Sequence, residues 1–239
     1  MEIKVNAIVI KTVDYKDNDK ILTLYSLERG KITATIKGVK KSGAKLKFAS
    51  EPFCFCEYIL AVKGDRYTVI NASYIDTFYE LRLNLKKYYA VAVIGEFVHK
   101  LVEDDICDES LFSLLINSVK DLCYQNTELF TLASFLINAT SCLGYGITDF
   151  NCYCCQNEIT NRVFFDFKNA EFACENCFKE GFREIMISTY NAFKRVVSGI
   201  NESDDGLEKL IKFLIYYINY KTEVTLKSAE SLYQIFKEN

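Results

Sequence analysis

The hydrophobic pattern of the chain changes its period near residue 79. Before this point apolar and polar residues mostly alternate, as in Ile32, Ala34 and Ile36 against Thr33 and Thr35, which is typical of half-buried strands. The alternating segments lie at residues 3–9, 21–27, 32–36, 53–62 and 67–78. Five strands joined by short turns and one long loop favour a small Greek-key barrel of the OB type.

After residue 79 the apolar residues recur at helical spacing. Leu81, Leu85, Tyr88 and Ala92 begin a long amphipathic pattern that continues to Leu101, and this pattern predicts a helix. Further helices are predicted near residues 111–122, 129–143, 188–197, 207–220 and 226–236. We therefore predict a multi-domain β-then-α chain, with an OB-fold domain at residues 1–79 and an all-helical domain at residues 80–239.

Two pairs of cysteines with metal-ligand spacing interrupt the helical part. Cys152 and Cys155 form one C-x-x-C pair, and Cys174 and Cys177 form a second pair after eighteen intervening residues. Four thiolates from two tight turns can close a tetrahedral site around Zn²⁺ and leave no open coordination position. The spacing predicts a structural zinc ribbon or knuckle inserted at about residues 150–180.

Other interpretations of these cysteines stay open. The chain has 10 cysteines, so chance C-x-x-C pairs are more frequent than usual, and Cys154 offers an alternative register. Either pair alone can be redox-active, but neither pair opens a helix after a buried strand. Disulfides would need an oxidising compartment. The sequence shows neither an export signal nor an apolar run long enough to span a membrane. We therefore predict a cytoplasmic protein that does not associate with a membrane.

The charge of the chain is polarised along its length. Residues 1–78 hold 13 Lys and Arg against 9 Asp and Glu, whereas residues 79–239 hold 16 against 23, and the net charge is −3. Between Lys31 and Lys47 there are six lysines and no acidic residue. On an OB barrel, such a loop can contact the phosphates of a single strand without reading its bases. A solvated lysine loop without a ligand is the alternative.

Nothing in the chain points clearly to an enzyme. His99 is the only histidine and lies in a helical pattern, and the sequence contains no phosphate-binding loop, nucleophile elbow or zinc-protease motif. The acidic pairs Asp104-Asp105 and Asp204-Asp205 fit loops between helices. We predict that the protein is not an enzyme.

Several short segments along essentially the whole chain stand in a characteristic order and spacing. The segments in the barrel part are Ala7-Ile8-Val9-Ile10-Lys11, the acidic turn at residues 14–19, Leu22-Thr23-Leu24-Tyr25-Ser26, Glu28-Arg29-Gly30-Lys31, Ile36-Lys37-Gly38-Val39-Lys40-Lys41 and Glu51-Pro52-Phe53. Those in the helical part are Leu81-Arg82, Phe135, Gly144-Tyr145-Gly146 before the first cysteine pair, and Lys227-Ser228. In order and spacing, these segments together resemble the RecO family of DNA recombination and repair mediators. One departure is that residues 169–173 lack the paired glycines that often precede the third cysteine.

The resemblance implies an OB-fold domain, a helical domain and a four-cysteine zinc knuckle. It also implies a non-enzymatic mediator that binds single- and double-stranded DNA, anneals complementary strands, and acts with RecR and single-stranded DNA-binding protein in recombinase loading. Such a protein would be cytoplasmic and would associate with the nucleoid when bound to DNA. Carried onto this sequence, the DNA-binding residues are Arg29, Lys31, Lys37, Lys40 and Lys41, and the zinc ligands are Cys152, Cys155, Cys174 and Cys177. The lysine-rich loop itself adds Lys45 and Lys47 to the candidate DNA-binding residues.

Two other functions remain alternatives at this point. A protein–protein adaptor would use the same surfaces and show little DNA affinity of its own. A metal-dependent nuclease would use clustered Asp or Glu side chains and would cleave DNA only with added Mg²⁺ or Mn²⁺.

Overall fold

A computed structural model describes residues 1–237 of the chain. These residues fold as two compact units, one formed by Met1–Gln125 and the other beginning at Asn126. The first unit contains β1 (Glu2–Tyr15), β2 (Asp19–Ser26), β3 (Gly30–Ile36), β4 (Phe55–Lys63), β5 (Arg66–Asp76), α1 (Leu85–Leu101) and α2 (Glu109–Tyr124). The second contains α3 (Glu128–Cys142), β6 (Val163–Asp166), β7 (Glu171–Cys174), β8 (Arg183–Ile185), α4 (Ile187–Val197), α5 (Leu207–Thr222) and α6 (Ser228–Lys237).

The first five strands form a closed barrel in the order β1-β2-β3-β5-β4. All neighbours are antiparallel except β3 and β5, and β4 closes the barrel by pairing with β1 from Phe55 opposite Ile8 to Ala61 opposite Glu2. Closure removes the exposed strand edges that a five-stranded sheet would otherwise present. The predicted OB-type barrel is confirmed.

The interior of the barrel is filled by the inward-facing residues that the alternating pattern marked. Val5, Leu24 and Leu60 are all less than 2% exposed. A 3-10 turn at Phe48–Ser50, which follows the lysine loop, closes one end of this core. It is held there because the buried Tyr58 hydroxyl donates to the carbonyl of Ala49 at 2.7 Å.

Two buried lysines bind the C-terminal ends of α1 and α2 to neighbouring elements of the first unit. Lys31, on β3, donates from Nζ to the carbonyls of His99 (2.8 Å) and Val102 at the C-terminal end of α1. Lys87, on α1, donates in the same way to the carbonyls of Cys123 (3.1 Å) and Gln125 (2.8 Å) at the end of α2. The last carbonyls of a helix have no partner within the helix, so each ammonium group satisfies acceptors that burial would otherwise leave unpaired.

The boundary between the compact units, after Gln125, does not coincide with the change of period at residues 79 and 80, and the domains at residues 1–79 and 80–239 stay a prediction. The period of the sequence does change there, because β5 ends at Asp76 and helical structure begins at Tyr79. However, α1 and α2 belong to the same compact unit as the barrel. Ring contacts of Phe112 on α2 with Tyr25 (6.0 Å) and Phe55 (6.1 Å) are part of this packing.

The second unit surrounds the predicted ribbon with helices. Strands β6, β7 and β8 form a small antiparallel sheet in the order β7-β6-β8, and aromatic rings connect it to α4 and α5. Phe165 on β6 lies 5.0 Å from Phe213 on α5, and Phe172 on β7 lies 5.2 Å from Tyr190 on α4, measured between ring centroids. Among residues 1–237, no helix combines the length and apolar character needed to cross a bilayer.

Candidate metal centre and nucleic-acid surface

The four predicted ligands converge on one point of the second unit. The Sγ atoms of Cys152, Cys155, Cys174 and Cys177 all lie within 4.8 Å of one another, and those of Cys155 and Cys174 are 4.0 Å apart. Thiolates around a tetrahedral ion with Zn–S bonds of about 2.3 Å lie about 3.8 Å apart. The donor set therefore fits a metal ion after a small contraction, and Cys154 is not part of the set.

Two short turns present these sulfur atoms. The first closes through a hydrogen bond from the Gln156 amide to the Cys152 carbonyl (2.9 Å), and the second through one from the Cys177 amide to the Cys174 carbonyl (3.1 Å). The turns are joined because the Tyr153 amide donates to the carbonyl of Phe172 on β7 at 2.8 Å. The hairpin of β6 and β7 thus carries the second pair of cysteines back to the first.

The backbone around Cys152 favours a thiolate. Desolvation raises the pKa of the Cys152 thiol, but the surrounding backbone N–H groups of Cys155, Cys174 and Cys154 outweigh it and lower this pKa to about 6. The pKa of the Cys177 thiol is raised, and the largest cause is its hydrogen bond with the Cys174 side chain. A cation at the centre of the four sulfur atoms would favour the ionised form of each.

Aromatic side chains fix both turns to the ribbon. Phe178, next to Cys177, stacks on Phe164 of β6 at 3.9 Å between centroids with an interplanar angle of 5°. Tyr153, next to Cys152, stacks on Phe182 at 5.3 Å. The site is therefore part of the packed ribbon, and a change at the sulfur atoms would alter the packing of β6 and β7.

The lysine loop lies on the barrel between β3 and the 3-10 turn. The backbone of the loop is fixed at Gly38 and Val39. The Gly38 amide donates to the Asp19 carboxylate at 2.8 Å, and Val39 is 2% exposed. Lys37, Lys40, Lys41, Lys45 and Lys47 are all exposed. Lys40 pairs with Asp14 at 2.8 Å, and this contact holds the pKa of the Asp14 carboxyl below its usual value.

The acidic turn thus organises the basic loop, which the sequence patterns did not show. Both contacts involve residues that are 19 to 26 positions apart, and no local pattern relates them. An open depression of about 410 Å³ lies where the two segments meet, lined by Lys16, Asp17, Asn18, Asp19, Lys37, Gly38 and Lys41.

Two residues of the predicted DNA surface lie at the other end of β3. Arg29 is exposed in the turn between β2 and β3. Lys31 is only 8% exposed; besides its two carbonyl acceptors its ammonium group pairs with Asp104 at 3.2 Å. The positive charge of Lys31 is therefore used inside the protein, and we remove this residue from the candidate DNA surface.

Comparison with known families identifies the chain. The model of the family described as "Recombination protein O N terminal" matches residues 1–78, and that described as "Recombination protein O C terminal" matches residues 82–230. The chain belongs to the RecO family.

Three curated RecO proteins illustrate the similarity. A DNA repair protein RecO from Desulforamulus reducens is 28% identical over 99% of this chain and 96% of its own length. One from Clostridium novyi is 28% identical over 95% of this chain and 92% of its own, and one from Clostridium perfringens is 30% identical over 80% of this chain and 78% of its own.

This RecO family member makes the tight turn of its ribbon without glycine. Ala170 has φ of 61° in the loop between β6 and β7, and its amide donates to the Asp166 carbonyl at 2.8 Å. A left-handed conformation costs an L-residue with a Cβ atom roughly 1–2 kcal/mol. The turn joins the antiparallel strands β6 and β7, whose pairing begins at Asp166 opposite Glu171.

We expect Ala170→Gly to stabilise the second unit by up to about 1 kcal/mol, because glycine removes the left-handed strain while adding some freedom to the unfolded chain. Chemical denaturation followed by circular dichroism measures this difference. Ala173→Gly, three residues later in the buried strand β7, is the matched control and should destabilise. A loss of stability in Ala170→Gly would show that the turn is not strained.

Proposed function

We propose that this RecO family member is a non-enzymatic mediator of DNA repair and recombination that binds single-stranded and double-stranded DNA and promotes annealing of complementary strands. The observation that carries the proposal is the lysine loop on the OB-type barrel. Within residues 1–237, the exposed Lys37, Lys41, Lys45 and Lys47 form no ion pair with an acidic side chain. Their charge is thus directed to solvent.

The physical basis of annealing is neutralisation of phosphate charge. Lysine contacts to the backbone of a single strand release counterions and do not depend on the base sequence. A strand whose phosphates are partly neutralised repels its complement less, so that complementary bases meet more often. The Gly38 hydrogen bond and the burial of Val39 fix the backbone beside Lys37 and Lys41, whose exposed side chains can adapt to the strand.

Zinc is the metal that we propose for the four-cysteine site. Closed sites with four thiolate ligands are typical of structural Zn²⁺. The ion, when bound, would stabilise the fold of the ribbon, and the four cysteines would hold it with no position left for substrate. The lowered pKa of the Cys152 thiol favours its thiolate, which is the form that binds a metal ion.

Partners and location are part of the proposal. We infer that the protein acts with RecR and with single-stranded DNA-binding protein in recombinase loading, and that it works in the cytoplasm, at the nucleoid. The DNA repair names of the curated relatives support the pathway.

Reversing the charge of two loop lysines tests the proposal. Wild-type protein should bind a labelled mixed-sequence single strand with a log–log salt slope of roughly −3, as expected for about four phosphate contacts. Lys37→Glu/Lys41→Glu should lower the affinity at least about tenfold for every sequence and make the slope shallower by about 1.4. Fluorescence anisotropy over a salt series measures both quantities, and a strand-annealing assay follows the activity.

The matched control carries the same change of charge on the helices of the first unit. Lys86→Glu/Lys120→Glu replaces two exposed lysines of α1 and α2 and should leave the slope unchanged. Equal losses in both double variants would contradict a specific role of the loop. Absence of binding at low salt would favour an adaptor, and strand cleavage that requires Mg²⁺ and stops with a chelator would favour a nuclease.

A further inference from the structure

Tyr74 is exposed although its strand position faces the barrel interior. It pairs directly with Cys56 on β4, and Ala72, two residues earlier, pairs with Tyr58. Directly opposed residues of an antiparallel pair share one face of the sheet, and both Cys56 and Tyr58 are fully buried. Tyr74 nevertheless remains 70% exposed. Folding of the barrel thus leaves a large aromatic ring in solvent.

A register shift adjoins Tyr74 near the end of β5. The register of β4 and β5 shifts between Cys56 and Phe55, so Ile75 has no directly opposed residue. Such bulges bend a strand and redirect its side chains, and they occur frequently next to binding sites. The position of Tyr74 is therefore defined by the sheet and does not depend on a mobile loop.

A second ring stands beside Tyr74. Phe48 begins the 3-10 turn that closes the barrel end, and its ring lies 6.0 Å from that of Tyr74 with an interplanar angle of 88°. Phe48 packs partly against the barrel core, and the next two residues, Ala49 and Ser50, are fully buried. Phe48 thus packs perpendicular to the Tyr74 ring, and Tyr74 still remains 70% exposed.

The two rings lie at the C-terminal end of the lysine loop. Lys45 and Lys47 precede Phe48 by three residues and one residue, and both are exposed. Successive turns position them, because the Lys47 amide donates to the Ala44 carbonyl (3.3 Å) and the Ala49 amide to the Leu46 carbonyl (3.1 Å). No acidic residue lies between Lys31 and Ser50. An exposed ring thus lies beside the end of a segment whose ordered backbone carries exposed positive charge.

From this arrangement we infer that Tyr74, supported by Phe48, is a base-stacking site for single-stranded DNA whose neighbouring phosphates contact Lys45 and Lys47. The site deepens the proposed DNA-binding function and rests on it. Proteins that bind single strands without sequence preference combine a basic surface with aromatic rings, because every base has a π face. Positive charge beside the ring complements a polyanion, which favours a nucleic acid over an apolar protein surface as the occupant.

The absence of tryptophan from the sequence allows a direct test. The chain has no Trp, so Tyr74→Trp in the full-length protein introduces a single reporter at the site. We expect its fluorescence to be quenched when a single-stranded oligonucleotide binds, because a stacked base quenches the indole. An oligonucleotide of abasic sites, which keeps the phosphates, should bind with little quenching. Tyr220→Trp, at a tyrosine that is 46% exposed in the second unit, is the control and should not be quenched.

Affinity measurements separate stacking from phosphate contact. Tyr74→Ala should weaken single-strand binding about tenfold, equivalent to about 1.4 kcal/mol, with an unchanged salt slope. Tyr74→Phe should bind like the wild type, since stacking needs the ring and not the hydroxyl. Lys45→Gln/Lys47→Gln should instead reduce the salt slope by about 1.4.

The outcomes distinguish this site from the proposed function. Salt-dependent binding by the wild type, together with unquenched fluorescence of Tyr74→Trp and normal affinity of Tyr74→Ala, would overturn the stacking site and leave the DNA-binding function intact. Equal quenching by the abasic strand would also overturn stacking. If the wild type binds no single strand at low salt, the DNA-binding function fails and the stacking site fails with it.

Discussion

Replacing Cys174 with serine is expected to abolish binding of the proposed zinc ion and to lower the melting temperature of the second unit by at least about 10 °C. Four thiolate ligands at a structural zinc site contribute an apparent free energy of about 10–16 kcal/mol in small zinc-finger peptides. Here the ribbon is also held by aromatic contacts with α4 and α5, so a smaller part of that energy is lost. A loss of even about 3 kcal/mol corresponds to a shift of this size for a unit of roughly 100 residues.

The neighbouring cysteine provides the control for this experiment. Cys154→Ser removes an exposed thiol that lies outside the four-sulfur group, and this variant should keep one equivalent of zinc and the wild-type melting temperature. Metal content by mass spectrometry and unfolding by circular dichroism, with and without a chelator, provide the two measurements. A wild-type protein without metal, or loss of metal only in Cys154→Ser, would contradict the assignment.

Replacing Lys31 with methionine is expected to destabilise the first unit by about 2–4 kcal/mol without weakening DNA binding. Methionine keeps most of the hydrocarbon volume but removes the ammonium group that donates to the carbonyls of His99 and Val102. Carbonyl groups left buried and unpaired at the end of α1 carry the full desolvation penalty. The carboxylate of Asp104, which pairs with Lys31, is largely exposed. Water can solvate it in the variant, so the loss of this ion pair adds little to the loss of stability.

Lys37 provides the opposite case. Lys37→Met removes an exposed lysine of the loop, and it should leave the stability within about 0.5 kcal/mol of the wild type while lowering affinity for single-stranded DNA. Urea denaturation and anisotropy titrations on both variants test the contrast. If Lys31→Met were fully stable and weakened DNA binding, Lys31 would belong to the DNA surface after all.

The strand and helix pattern could be predicted because it depends on local periodicity. Alternation such as that of Ile32, Ala34 and Ile36 corresponds to the observed β3, and the turn residues around Gly30 mark where it begins. The grouping of the four ligand cysteines was also accessible, since each pair is short-range and one hairpin brings the pairs together.

The sequence by itself determined the strands of a small barrel, the helices that follow it and the four sulfur atoms of the candidate metal site. These features follow from spacings of two to four residues and from short hairpins. Such local features do not depend on how distant segments of the chain pack. The tertiary structure decided which charged and aromatic side chains face solvent. Lys31 and Lys37 are similar in sequence context, yet Lys31 meets carbonyls 68 and 71 residues away and is buried, whereas Lys37 is exposed. Tyr74 has an inward strand register and is nevertheless exposed. The exposure of a side chain depends on which distant segments cover it, and local periodicity does not contain that information.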